Sequence, residues 1–564
     1  MRGLIKQISF SVIIIFSVCC NNMANCQTSD LIFLERIDSL ECLQPAPPKG
    51  VVQKGREKII RVKNQNQFNN INNEISRAIS NGYLNIKVSI KSGVYRFNEN
   101  HILRSNEHYP TVSICIEGDN TIITSTDMLS TTHDSSTELT FADSLLEVVD
   151  TTNQICFVPF KNNIPISRRE NYTRIQLTQA FRAPVYSITK IEEDGIYFKA
   201  SNQIKSDLDH IINQDYHYLK IIPRFRILYE NNDDEGNAST FINLKNCSYG
   251  LFKVKGVSFI QNKDQKPLIE IDNVKAGNIS IDNCRFERIG RYCVLGTASD
   301  NISITNCSFY KTNGWELNFG GGCDMVYISN NTFKNCGLCL NNTFCVGCNE
   351  AVYYIGHNKF VDFGYGAIGV GLWYGHQKKY ISKGIVEHNE IYYTPEYFTS
   401  KERYTLMDGG AIYTWTQVDE AIIRYNYIHD FTGMGDNMGI YCDDGASNIS
   451  VYYNVVLNTP KGYSIFSRRV KDRVSYYKNN SNNFVSFNVI DGGLLFMGYG
   501  DENRHCIKGE NYIINHSVYP ALKNSYKYLE INQDDVFVDS LTQLGTNIII
   551  PNALMSFLNS INTD

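Results

Sequence analysis

Ile279-Ser280-Ile281-Asp282-Asn283-Cys284-Arg285-Phe286 is followed by Ile302-Ser303-Ile304-Thr305-Asn306-Cys307-Ser308-Phe309 and by Val326-Tyr327-Ile328-Ser329-Asn330-Asn331-Thr332-Phe333. Looser copies stand at His357-Asn358-Lys359-Phe360, His388-Asn389-Glu390-Ile391, Tyr425-Asn426-Tyr427-Ile428, Tyr453-Asn454-Val455-Val456, Phe487-Asn488-Val489-Ile490 and Glu510-Asn511-Tyr512-Ile513. With Cys284 and its equivalents as the register, the steps are 23, 24, 27, 31, 37, 28, 34 and 23 residues. A constant minimum with variable additions describes one structural coil that accepts insertions. Apolar positions alternate inside each unit, which is strand periodicity, and almost no helical pattern survives in this half. Short strands that each end in an Asn kink stack as a parallel β-helix, in which neighbouring coils bury the face that one coil cannot bury alone. The expected fold is all-β: a right-handed parallel β-helix, its hand following the rule for parallel crossovers, with an inserted β domain.

The column explains which residues recur. Cys, Cys and then seven Asn residues occupy the register position, where inward amides can hydrogen-bond to the coils on either side as ladders do in other stacked sheets. Two positions later Phe286, Phe309, Phe333, Phe360, Ile391, Ile428, Val456, Ile490 and Ile513 form an apolar stripe. These residues read as structural. Sequons such as Asn278-Ile279-Ser280 fall out of the repeat and say little about glycosylation.

The chain has 564 residues and a net charge of −5 with mixed signs, so no nucleic-acid surface is suggested. Its 36 Tyr against 3 Trp suit a β-rich protein that binds polar rings, although Tyr is also a good strand former. Arg2 and Lys6 precede an apolar run from Ile8 to Val18. That run is too short to span a bilayer and has the layout of an export signal over 1–25. The expected location is therefore periplasmic or cell-surface, and Cys19 or Cys20 would allow anchoring to an outer membrane through a lipid. A monomer is expected.

Seventeen cysteines is a high, odd number. Export favours disulfides, yet Cys247, Cys284 and Cys307 fall on or near the repeat and read as small core residues. Cys336-Gly-Leu-Cys339 and Cys345-Val-Gly-Cys348 formally resemble paired zinc ligands, but only five residues separate the pairs. They read first as buried thiols or a local disulfide, with a metal as the alternative. No metal and no cofactor enters the expected chemistry.

Along the chain, 26–83 reads as a linker and N-terminal cap, with a short amphipathic helix over 70–80 (Ile71, Ile75, Ala78, Ile79) covering the open end of the column. The first coils follow over 84–125, the inserted β domain over 126–240 and the main column over 241–525, leaving 526–564 as a tail.

Aligning coils aligns neighbours in space, because adjacent strands lie about 4.8 Å apart. Ala367-Ile368-Gly369-Val370, Ala411-Ile412-Tyr413-Thr414-Trp415, Gly439-Ile440-Tyr441-Cys442-Asp443 and Ser464-Ile465-Phe466-Ser467-Arg468 align. If the Ile column points inward, Tyr413, Trp415, Tyr441, Asp443, Phe466 and Arg468 point outward together, which is what a sugar-binding groove needs. The longest insertion ends at Asp408-Gly409-Gly410, and Asp443-Asp444-Gly445 supplies adjacent carboxylates on the next strand. Convergent carboxylates are the requirement for glycoside hydrolysis, one as acid and one as base or nucleophile. Asp-Gly pairs are also ordinary turn formers. An aromatic ladder covered by loops is the plain alternative for the rings.

Asp408-Gly-Gly-Ala-Ile-Tyr-Thr-Trp415, Ile423-Arg-Tyr-Asn-Tyr-Ile-His-Asp430, Gly439-Ile-Tyr-Cys-Asp-Asp-Gly445 and Val451-Tyr-Tyr-Asn-Val-Val456 resemble the β-helical glycoside hydrolases of exported bacterial glycan-degradation systems, of the α-L-fucosidase and xylanase type. The resemblance covers 84–520 and departs at Cys442, where such sequences carry an aliphatic residue. It implies catalytic acids at Asp408, Asp443 and Asp444 with a nearby histidine, His388 or His429, and a polysaccharide or oligosaccharide substrate. Two other classes compete. A β-helix polysaccharide lyase would use a cationic base (Lys378, Lys379, Arg424, Arg468 or Arg469), and a glycan-binding adhesin would need no carboxylate cluster.

Overall fold

The computed structural model describes Ala46, residues 54–97 and 101–124, and most of 240–497. Within 240–497 it leaves out 263–265, 276, 290–291, 313, 338–343, 372–379, 396–408, 431–437, 459–462, 469–482 and 492. It also gives strand backbone between 138 and 222 and at 506–508 and 536–538, together with 511–514 and the helix at 551–561. No described helix is long and apolar enough to cross a membrane.

The repeat folds as read. Its strands join one large sheet in which successive coils pair in parallel, which makes the molecule a parallel β-helix. One middle coil shows the plan: Gly366–Gly371 forms a first face, Lys383–Glu387 a second, and Glu390–Tyr392 a third. In the following coils the strands Gly410–Arg424 and Met438–Tyr452 bend through the first corner and serve both the first and the second face. Where the repeat breaks, strands between 138 and 222 form a separate, antiparallel six-stranded sheet.

The corner between the second and third faces explains the Asn spacing. Asn331, Asn358, Asn389, Asn426, Asn454, Asn488 and Asn511 are all buried. Asn358 shows the pattern: its Nδ2 donates to Asn389 Oδ1 at 3.0 Å and to the Ile328 carbonyl at 3.0 Å, while its own Oδ1 accepts from Asn331 Nδ2 at 3.0 Å. From Asn331 to Asn488 the residue before each amide takes the left-handed backbone, including His357 (φ 58), His388 (φ 52), Tyr425 (φ 52), Tyr453 (φ 56) and Phe487 (φ 56). That conformation costs a non-glycine residue about 1–2 kcal/mol, and the saturated ladder offsets it. Inside the third face, Phe259, Phe286, Phe309, Phe333 and Phe360 stack with centroids 5.2, 4.9, 4.5 and 4.7 Å apart.

The column begins earlier than 84: Glu57–Val62 pairs in parallel with Asn85–Ile90. Its sequence alternates, but it lacks the repeat phrase that marks the later coils, so it read as linker. Helices α1 (Gln65–Asn69) and α2 (Ile71–Ser80) follow, and Phe68, Ile71, Ile75 and Ala78 are buried. Arg104 ties the second helix down, donating to Ser76 Oγ at 2.8 Å and to the Asn72 carbonyl at 2.8 Å. A third helix, α3 (Asn552–Ile561), buries Leu554, Phe557 and Leu558 against the outer aromatics of the second face and the ladder corner.

His101 stacks on Phe68 at 4.1 Å and on Phe241 at 5.5 Å, and its Nε2 has no hydrogen-bond partner. Burial lowers its pKa from 6.5 to about 4. Between those values the unfolded chain takes up a proton that the folded chain refuses, so stability is present above pH 6.5 and is lost as pH falls towards 4. The variant His101→Phe is expected to flatten the fall of Tm over that window. Parallel Tm profiles for variant and parent would show that this ring titrates normally.

Candidate active site

The outer surface of the first face is built by alternation. Ile368, Ile412, Ile440 and Ile465 pair in register across four coils, as their alignment predicts. The first three are fully buried in the column. Alternation then sends Gly347, Gly369, Tyr413 and Tyr441 to the outside along one line. The two glycines there are seats for rings. A Cβ on Gly347 would stand 2.1 Å from the Trp315 ring, and one on Gly369 would stand 2.7 Å from the Phe344 ring. Phe344 meets Trp315 (centroids 5.4 Å), Tyr365 (5.3 Å) and Tyr413 (5.4 Å), and Tyr413 meets Tyr441 at 4.6 Å.

Asp443 lies two residues beyond Tyr441 on the same side of the strand, in the neighbouring line with Trp415, and only 6% of its surface is exposed. The Tyr413 hydroxyl donates to its Oδ2 at 2.5 Å and the Tyr441 hydroxyl to its Oδ1 at 2.8 Å. Among the described residues no cation pairs with it. Both carboxylate oxygens therefore accept from phenol hydroxyls, which fix the group. A carboxylate held as an acceptor suits the base, nucleophile or charge-stabilising member of an acid–base pair.

The structure brings Asp443, Tyr413 and Tyr441 together. The two tyrosines are 6% and 0% exposed, so they serve as hydroxyl donors and not as open stacking platforms. Trp415 pairs with Asp443 through the backbone, and Asp444 follows in the same strand; their side chains are outside the described residues. Tyr441 pairs with Phe466, and Arg468 ends the strand Tyr463–Arg468 one coil on, again described as backbone alone. Asp408 lies outside the described residues.

Neither histidine is brought to Asp443. His388 occupies the ladder corner, in a ring stack with His357 at 4.9 Å and Tyr425 at 5.0 Å, with Phe557 of α3 edge-on at 6.0 Å. One side of its ring meets solvent, yet the packed rings still withdraw it from water enough to lower its pKa to about 4. His429 sits on the third face. It stacks on Tyr392 at 4.7 Å and Tyr427 at 4.2 Å, and its Nδ1 lies 2.9 Å from Asp430 Oδ2.

Several arrangements escaped the sequence reading. Arg424 is buried on the outside of the second face, its Nε donating to Glu387 Oε2 at 2.5 Å and its Nη1 to the Tyr452 hydroxyl at 3.2 Å. A buried guanidinium so engaged cannot serve as a base. Trp315, Phe344 and Tyr365 were missed because they precede the aligned strands and reach the face through their rings. The signal available was Gly347 and Gly369, two outward glycines in register. Cys336, Cys345 and Cys348 are buried free thiols, whereas Cys339 lies outside the described residues.

No protein-family model matches the chain. No curated protein matches it either. Among solved structures it is similar to a glycoside hydrolase at 12% identity and TM-score 0.46, covering 73% of this chain and 94% of that one. It is also similar to XylC in complex with xylose, at 9% identity and TM-score 0.37 over 80% of each chain. A third likeness is to a hyperthermoactive exopolygalacturonase from Thermotoga maritima, at 12% identity and TM-score 0.31, covering 76% of this chain and 96% of that one. At TM-scores this low, function has to be argued from the residues of this chain.

Proposed function

We propose that this chain is a carbohydrate-active enzyme that hydrolyses glycosidic bonds of a polysaccharide or complex glycan on the outer face of its β-helix. The observation that supports the reading most is Asp443, a carboxylate on the outside of the column yet withdrawn from water and gripped by two phenols. An acid serving only to end a turn would be open to solvent. Here Asp443 acts as the base or nucleophile, and Asp408 or Asp444 supplies the proton to the leaving oxygen. The sequence motifs favour the α-L-fucosidase and xylanase type within this class. The proposal includes export of the mature chain, with the leader over 1–25 removed and Cys19 or Cys20 available for a lipid.

A lyase is the second reading, and it is weakened by Arg424, whose buried pairing with Glu387 removes one of its candidate bases. The two reactions leave different products. Elimination creates an unsaturated sugar that absorbs in the ultraviolet, while hydrolysis yields a new reducing end without that absorbance. Incubation with neutral and uronate-containing polysaccharides is expected to release reducing ends with no rise in ultraviolet absorbance. Absorbing products would establish the lyase, and binding without any product would establish an adhesin.

A further inference from the structure

Inside the column, one inward line of side chains departs from the apolar rule. Val294 pairs with Leu317, and Leu317 with Val346, so the residues just before them, Cys293, Glu316 and Cys345, stack on three successive coils. Leu268 precedes them in this line, and Ala367 and Ala411 follow. Glu316 is fully buried. Its Oε1 accepts from Thr312 Oγ1 at 2.6 Å and from the Gly337 amide at 3.2 Å, while its Oε2 makes no hydrogen bond. Cys336, from the adjacent corner, completes the group. One ligand atom each from Glu316, Cys336 and Cys345 lies within 4.8 Å of the others.

We infer that Glu316, Cys336 and Cys345 form a structural site for a thiophilic divalent cation of the zinc class, buried in the β-helix and separate from the outer face that carries Asp443. Tetrahedral zinc with Zn–S bonds of about 2.3 Å holds its sulfur ligands about 3.8 Å apart, inside the observed spacing. Thiolate sulfur and carboxylate oxygen are both donors that zinc takes. Charge gives the reason for a cation here. A carboxyl with a bare oxygen in an apolar interior is costly unless a proton or a cation compensates it, and a disulfide between the two cysteines would leave that oxygen as it is. Binding would release the thiol protons to water; in the metal-free geometry the Cys336 thiol points at the Phe309 and Lys334 carbonyls, 3.5 Å away. Cys293, one coil earlier in the same line, is the candidate for the fourth position.

The full chain, purified without chelators, is expected to carry about one equivalent of zinc by elemental analysis. Exchange with cobalt(II) should give the visible bands of a tetrahedral ion together with thiolate charge-transfer bands. Cys336→Ser and Cys345→Ser should lose both, and Cys348→Ser, outside the cluster, should keep them. Should the serine variants fail to fold, Glu316→Gln decides the matter: it preserves the shape and is expected to weaken cobalt binding at least about tenfold, the scale seen when even a supporting residue is lost. The inference is overturned if the folded parent binds neither ion, if cobalt binds without thiolate bands, or if mass spectrometry finds a Cys336–Cys345 disulfide.

Discussion

Replacing Asp443 with asparagine is expected to lower turnover by about 100- to 10,000-fold, the usual cost of removing a group that handles a proton or charge in the reaction. The substitution keeps the shape of the side chain, and one oxygen can still accept from a tyrosine. The fold should therefore survive with a loss of about one hydrogen bond, on the order of 1 kcal/mol. The loss should lie chiefly in kcat, because in the proposed role the group acts on the reacting bond and not on remote parts of the substrate. Asp408→Asn and Asp444→Asn are expected to behave alike for whichever of them is the proton donor. Turnover of an active polysaccharide, measured beside Tm, checks all three. An Asp443→Asn protein that folds and keeps more than about a tenth of the parent rate would reduce Asp443 to a clasp for Tyr413 and Tyr441.

Asn426→Leu should be the most damaging single change in the ladder for its size. Asn426 accepts from the Asn389 amide at 3.2 Å and from Asn389 Nδ2 at 2.9 Å, and it donates to the Val386 carbonyl at 2.9 Å and to Asn454 Oδ1 at 2.9 Å. Leucine matches the volume but leaves the Asn389 N–H and the Val386 carbonyl buried and unpaired. At about 1–3 kcal/mol for each orphaned group the cost is about 2–6 kcal/mol. Cys284→Ala, at the sulfur end of the register, should cost less, because that thiol makes only long contacts such as 3.7 Å to the Val254 carbonyl. Denaturation in urea measures both. A parent-like midpoint for Asn426→Leu would mean that the amide does not carry the coil contacts.

The fold was legible because a stacked column repeats its requirements: each coil needs an apolar wedge, an inward strand and a kink, so register appears as phrase. The same logic aligned Ile368, Ile412 and Ile440, and with them Tyr413, Tyr441 and Asp443. The site was legible only along the strands. Which outward ring lies open and which is covered depends on side chains arriving from neighbouring segments, as Phe344 does over Gly369. The histidines are placed by the repeat itself. His388 and His429 follow the repeat phrase closely, but the phrase places them at the ladder corner and on the third face, away from the first. Glu316 was missed because a single glutamate shows no periodicity; its meaning appears only once Cys293 and Cys345 are known to lie in register with it.

The Asn ladder has a direction. From Asn331 to Asn488, each backbone N–H and one Nδ2–H point to the oxygen of the coil that follows, while each Oδ1 faces the coil that came before. The two ends of such a stack are not equivalent. A last coil without a successor would leave N–H groups unmet, whereas a first coil without a predecessor leaves only lone pairs, which proteins tolerate better when buried. That asymmetry accounts for where the amides give way to sulfur. Cys284 and Cys307 stand at the accepting end, and there the Cys307 sulfur receives only a long contact from the Cys284 amide at 3.4 Å. A chain that appears N-terminus first therefore builds its undemanding end first, and every finished coil offers donors that the next one satisfies. The column is polar along its axis, and in N-terminus-first synthesis the end still waiting for a partner is always the donor end.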